Sequence, residues 1–398
     1  MITKAKGYKM TRALSKKFFN EFYSGKYKPL KELINAEGAF KSRFMFNLRG
    51  NQVMVYCKGH RAVIIEEGKN DLTLTGAFYT KELQAFIETE LGLETKIDEI
   101  KKNEGDDKLY KKLVLIKSVK FGEAEWKKFL SLVADGIEAI ETSQEKDAQQ
   151  RIWYENNVSN IANTSDYVII DTEYDTPKSG RFDLVALHWD DHNKKPGLAI
   201  IELKYSNCSV GTSQGPTIIK EKTGEIKNTT AICGHWNGFH DYDLIKKSSR
   251  ENSEELKDFT KMFWQLFALK MYNPDRTIDK GLLDTYCPNG NPDGDWETTN
   301  WDNMENMIDI ERPIMFIFAL ANYNMASTGI TTQIKEIKKI EAENKDNSKN
   351  YELRFGISTF LGYGLFDAGM LNLKQAKKFI SVFRRKTNYW KRKINRKK

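Results

Sequence analysis

RFDLVALHWDDHNKKPGLAIIELKY, residues 181–205, is the stretch on which the fold turns. Its second half reads as a strand covered on both faces, because Leu198, Ala199, Ile200, Ile201 and Leu203 make a nearly unbroken apolar run. Glu202 and Lys204 interrupt that run two residues apart. Side chains alternate along a strand, so both charges point to the same side. The first half reads as a second strand, joined to the first by the polar segment 190–195. If the hairpin closes symmetrically about that segment, Trp189 faces Pro196 and Asp183 faces Glu202, with facing Cβ atoms about 5 Å apart. Two carboxylates and an amine then converge on one face.

Carboxylates this close repel, and burial disfavours their ionised forms, so a compensating charge is required. Mg²⁺ (or Mn²⁺) supplies it well, since it prefers oxygen ligands and is commonly held by one or two carboxylates, water and substrate phosphate. Lys204, on the same face, is placed to orient a water or to steady charge on a reacting phosphate. A lone Glu-x-Lys in a strand is more often an ion pair within the sheet. The register, the apolar flanks and the preceding Gly-Arg-Phe-Asp at 180–183 favour the site over that plain reading.

Working outward, residues 142–161 read as a helix, and "YVIIDTEY" (167–174) as a strand before the hairpin. A loop rich in Gly, Thr and Lys follows Lys204, then a helix over "SEELKDFTKMFWQLFALKMY" (253–272) and a strand at "PIMFIFAL" (313–320). The order is helix, three strands, helix, strand, which predicts an α/β core with a mixed sheet. On this order, with Asp183 and then Glu202-Leu203-Lys204, the chain resembles the PD-(D/E)XK, or restriction-endonuclease-like, nuclease superfamily. "EKDAQQRIWYENN", "GRFDLVAL" and "LAIIELKY" are similar to the catalytic half of the mismatch-specific endonucleases.

The resemblance covers about residues 142–206. It implies a metal-dependent hydrolase acting on phosphodiesters, with Asp183 and Glu202 as ligands, Lys204 as a catalytic residue and Glu145 as an auxiliary acidic ligand. Phe182 stands where the superfamily has its proline. The helix-to-aspartate spacing is longer than in the mismatch enzymes, which makes Glu155 a rival to Glu145. Glu145 also has a plain reading, as the third residue after Thr142 in a capping box. Gln265 and Tyr272 loosely resemble the Gln/Tyr motif of related exonucleases. Glu173 is expected to bond Arg181 instead of a metal. His235, His240, Asp241 and Asp243 in "HWNGFHDYD" lack the spacing of a zinc site and are expected near the cleft.

The remaining 140 or so residues at the start are β-prone: "FMFNLR", "QVMVYC", "RAVIIEE" and "LTLTGAFY" are joined by Gly- and Asn-containing turns, as in a meander. A helix is expected over 81–91, a strand at "LYKKLVLIKSV" (109–119) and a helix over 122–140. The predicted organisation is a β-rich α+β domain over 1–140, a nuclease-like domain over 141–383 with its last helix near 371–383, and a basic tail over 384–398. With 40% hydrophobic and 12% aromatic residues the chain can build cores, which excludes global disorder. The longest apolar run, "IMFIFALA", is far short of the ~20 residues a membrane span needs. No hydrophobic segment follows the basic opening "MITKAKGYKM", and the four cysteines are widely spaced. Both features fit a cytoplasmic chain with free thiols.

The net charge is +8, and the last fifteen residues carry nine Lys or Arg and no acid, so the rest is nearly neutral. Arg384, Arg385, Lys391, Arg392 and Lys393, beside Tyr389 and Trp390, suit phosphate contact with base stacking. DNA is the expected partner by resemblance, with RNA as the alternative, and a homodimer is compatible with cutting both strands. The competing function is a non-catalytic nucleic-acid-binding or scaffold protein that keeps the fold.

Overall fold

In the computed structural model of the protein the residues described are 11–35, 39–68, 72–75, 80–92, 95–101, 109–115, 121–138, 144–176, 180–189, 194–205, 232–273, 275, 278, 280–287, 296–322, 328–345, 349–358, 363–367 and 370–395. The protein is mixed α/β and divides into two units, each assembled from two stretches of chain. Met1–Asn163 joins Glu254–Met307, and Thr164–Ser253 joins Ile308–Lys398.

The first unit carries an antiparallel sheet of six strands: β1 (Phe44–Leu48), β2 (Gln52–Cys57), β3 (His60–Glu66), β4 (Leu72–Thr75), β5 (Thr95–Lys101) and β6 (Leu109–Leu115). Their order, β1-β2-β3-β4-β6-β5, is the expected meander with one strand added. The addition is β5, "TKIDEIK", whose apolar Ile97 and Ile100 are three apart and give no alternating signal. Pairing with β6, Ile97 beside Leu113 and Ile100 beside Tyr110, makes it a strand. The β2–β3 turn is Lys58-Gly59, both left-handed (φ 47° and 73°), as a tight hairpin turn demands. A Cβ at Gly59 would fall 2.4 Å from Cβ of Lys146, so that turn packs against the helix Gln144–Asn157. Gln150 fastens the two together, accepting from the Gly59 N–H at 2.8 Å and donating to the Arg43 carbonyl at 2.7 Å. A boundary at residue 140 would therefore cut this helix from its own unit.

The helix Glu254–Ala268 also belongs to the first unit and grips the chain's start. Asp258 accepts the Arg12 and Ala13 N–H groups at 2.6 and 3.1 Å, and Gln265 brackets Leu14, accepting its N–H and donating to its carbonyl at 2.8 Å each. Gln265 is fully buried in that role, so of the two readings its sequence allows, a polar residue of a core helix or a cleft residue, it is the first. Tyr272 stacks on Phe263 with ring centroids 5.4 Å apart. The helices Lys16–Tyr23 and Lys28–Asn35 were not expected from the sequence. Each buries one apolar face, including Phe18, Phe19 and Phe22 in the first and Leu30, Leu33 and Ile34 in the second.

The second unit is built on a mixed sheet of six strands: β7 (Tyr167–Thr176), β8 (Gly180–His188), β9 (Gly197–Tyr205), β10 (Ile314–Ala321), β11 (Tyr351–Ser358) and β12 (Met370–Leu371), in order β12-β11-β10-β9-β8-β7. β7, β8 and β9 run as an antiparallel meander, and β9, β10 and β11 are mutually parallel neighbours. The interior positions of β9 and β10 explain their nearly continuous apolar sequences. The helix Ile232–His240 places Trp236 and Phe239 against Phe316 of β10. Its N-terminal turn is held by Gln333 of the helix Thr328–Glu343, whose Oε1 accepts the Cys233 N–H at 2.9 Å. The last helix runs Leu373–Asn395, so the basic segment from Arg384 is not a separate tail but the second half of a helix. Cys57, Cys233 and Cys287 are buried free thiols. Among the described residues no helix is long and apolar enough to cross a membrane.

At the end of the Ile232–His240 helix, the His240 ring stands edge-on to Trp236 and Tyr351, with centroids 4.8 Å from each. Both its ring nitrogens are buried and without a hydrogen-bond partner among the described residues. Burial pushes its pKa down from 6.5 to about 4. Between those values the unfolded chain binds a proton that the folded chain refuses, so stability falls as pH drops through this window. His240→Phe keeps the ring and removes the titration. Urea midpoints measured at pH 7 and pH 4.5 should fall less in this variant than in the wild type.

Candidate active site

The β8–β9 ladder follows the predicted register from His188–Gly197 to Leu184–Ile201. It ends one pair short of Asp183 and Glu202. There the Asp183 side chain replaces a backbone acceptor, its Oδ2 taking the Leu203 N–H at 2.7 Å. Asp183 and Glu202 are therefore not joined as a ladder pair. Asp183 is bound to the backbone beside Glu202, and β8 leaves the ladder at that residue. Phe182 helps to fix the departure, packing edge-on against Phe239, Tyr242 and Phe316 with centroids 6.2, 6.0 and 5.7 Å away.

Glu202 and Lys204 share a face, as the strand period requires, and both are buried, at 2% and 7% exposure. Lys204 Nζ lies 2.6 Å from Glu202 Oε1. His235 Nε2, from the Ile232–His240 helix, lies 3.3 Å from the same oxygen. Glu202 Oε2 is buried with no hydrogen-bond partner among the described residues. The carboxylate is therefore lopsided, with two nitrogens at one oxygen and none at the other. An unsatisfied buried carboxylate oxygen is costly in a low-dielectric interior. It is suited to an electrophile brought from outside. The sequence placed His235 near a cleft without linking it to Glu202; only the helix Ile232–His240 brings it there.

Asp183, Glu202 and Lys204 all lie in the second unit, whereas Glu145 and Glu155 lie in the first. Both glutamates are half-buried on the helix Gln144–Asn157, and Thr142, the cap partner expected for Glu145, lies outside the described residues. Glu173 pairs with Arg181 at 3.6 Å, as expected, and adopts φ 50° next to the irregular pairing of β7. Arg384, Arg385, Lys391, Arg392 and Lys393 lie along the helix Leu373–Asn395. Arg385 is exposed, and the side chains of the other four lie outside the described set, as does the Gly-, Thr- and Lys-rich stretch 206–231, expected as a loop. The described residues contain no group of three or more His, Cys, Asp or Glu that could hold a metal. Asp183 and Glu202 are the two described carboxylates here that could hold a metal. No family model matches the chain, and neither a curated protein nor a solved structure matches it.

Proposed function

We propose that the protein is a metal-dependent nuclease with a restriction-endonuclease-like core, hydrolysing phosphodiester bonds in DNA. The observation that carries this reading is the lopsided Glu202: a buried carboxylate with one oxygen held by Lys204 and the other unpartnered, beside Asp183. Asp183 and Glu202 would hold Mg²⁺ or Mn²⁺. The ion would neutralise the carboxylates, polarise a phosphate oxygen and acidify its water. Asp183 is kept in place by the Leu203 N–H, which restricts its rotation. Lys204 holds its ammonium at the carboxylate, where it can steady the charge that grows on a phosphate in the transition state. The cationic second half of the Leu373–Asn395 helix would grip the backbone without reading bases.

A second reading has its own observation. The 2.6 Å pair of Lys204 with Glu202 is also what a purely structural ion pair looks like, as in a nucleic-acid-binding or scaffold protein that keeps the fold. One panel separates the two. The purified full chain is incubated with linear, circular, single-stranded and mismatched DNA, and with RNA, in Mg²⁺, Mn²⁺ or EDTA. Cleavage that needs the metal and is lost in Asp183→Ala is expected. Binding without cleavage on every substrate would leave the scaffold reading, and cleavage of RNA alone would correct the polymer.

A further inference from the structure

We propose that His235 is a positioning residue for Glu202, setting which carboxylate oxygen faces the metal. This rests on the metal-dependent reading of the site. The last torsion of a glutamate is soft and roughly two-fold, so one contact does not fix the carboxylate plane. Lys204 alone is a poor anchor for it. Its ammonium sits on a flexible stem, carries three rotatable donors and could serve either oxygen. His235 supplies a second point from a different element, 3.3 Å from Oε1, on the oxygen that Lys204 already holds at 2.6 Å. Two nitrogens on one oxygen leave the other, Oε2, turned away from both, and it is this oxygen that is buried and unpartnered.

The imidazole is itself well placed to act as a fixed point. Trp236, the next residue, is fully buried, with its ring centroid 5.3 Å from that of Phe316. One turn on, Phe239 lies 4.6 Å from the same ring. Gln333 holds the first turn through the Cys233 N–H. A helix locked at three points presents His235 with little freedom. If the imidazole is removed, the carboxylate can turn and Lys204 can occupy the metal-facing oxygen. The site would then be closed by its own lysine.

The test uses the full chain and compares wild type, His235→Ala, His235→Leu, His235→Gln and Glu202→Gln. Glutamine can place a side-chain N–H near the position of imidazole Nε2, whereas leucine keeps bulk without a donor. Mn²⁺ binding is measured by titration calorimetry without nucleic acid, and cleavage is resolved into kcat and KM. The expected result is a loss of Mn²⁺ affinity of about tenfold in His235→Ala and His235→Leu, with recovery to within about threefold of wild type in His235→Gln. The same two variants should lower kcat while leaving KM for the nucleic acid unchanged. Melting curves identify any variant that does not fold, and the leucine–glutamine comparison stands if the alanine variant fails. Equal Mn²⁺ affinity in wild type and His235→Leu, or a glutamine variant as weak as leucine, would overturn the role of His235. A wild type that binds no Mn²⁺, or a Glu202→Gln chain that binds it equally well, would instead overturn the metal reading on which the role depends.

Discussion

Lys204→Met should destabilise the folded chain by about 3–5 kcal/mol in EDTA, because it strips a buried carboxylate of its ion-pair partner. Glu202 would keep only the longer His235 contact, in surroundings where neither charge is accessible to water. In Mg²⁺ the same change should slow cleavage on the order of 10²–10³-fold, the usual cost of removing one preorganised electrostatic donor. The double variant Glu202→Gln, Lys204→Met makes the two effects separable. Removing both charges should restore much of the lost stability, since uncharged replacements of a buried pair are often neutral. It should restore no activity. Urea unfolding and single-turnover cleavage read these outcomes side by side. Recovery of both together would mean that the pair serves only the fold, and loss of neither that it serves neither the fold nor the reaction.

Arg250→Met is expected to be comparably damaging, for a reason remote from the site. The Arg250 guanidinium is 3% exposed and spends its donors on five backbone carbonyls: Leu244, Ile245, Ile310, Arg312 and Asn350, at 2.6–2.9 Å. It thereby ties together three segments, two of them far downstream in the chain. Burial lowers its pKa, with Glu311 opposing the shift. Methionine fills much of the space but takes the guanidinium from all five acceptors, of which Asn350 keeps the Ile314 N–H at 3.0 Å, so a loss of about 3–5 kcal/mol is expected. Lysine should recover only part of it, since an ammonium has three donors and no planar fork. Against a typical stability of about 5–15 kcal/mol, Arg250→Met should populate unfolded second unit, seen as a lower urea midpoint. A midpoint within the scatter of wild type would show that the carbonyls find other partners.

Sequence made the strands legible where their patterning was strong. β7 to β10 were all readable from apolar runs, and the β8–β9 register followed from the length of one turn. β5 was hidden because its strand character comes from β6 and not from its own residues. The helix Gln144–Asn157 was found, but not the unit to which it belongs, since that depends on Gln150 reaching a glycine about 90 residues upstream. Arg250 lies in a polar stretch, KKSSREN, that looks solvated, and nothing in its neighbours announces five distant carbonyls. Of the site, Glu202 and Lys204 were visible as charges in a greasy strand, and Asp183 through the register. The departure of β8 from the ladder and the approach of His235 arise from tertiary packing alone.

The parallel pairing of β9 with β10 carries a consequence for biosynthesis. Glu202 lies beside Phe318, roughly 115 residues later in the chain, so β9 waits for that neighbour while most of the first unit's second segment is made. At about 5–20 residues per second the delay is of order 5–25 s. Throughout it, GLAIIELKY is the open rim of a partial three-stranded meander, rich in apolar residues and ready to pair with another nascent chain. Glu202 and Lys204 are the only charges in that segment. Besides the role proposed for them, they stand as gatekeepers on a newborn sheet edge.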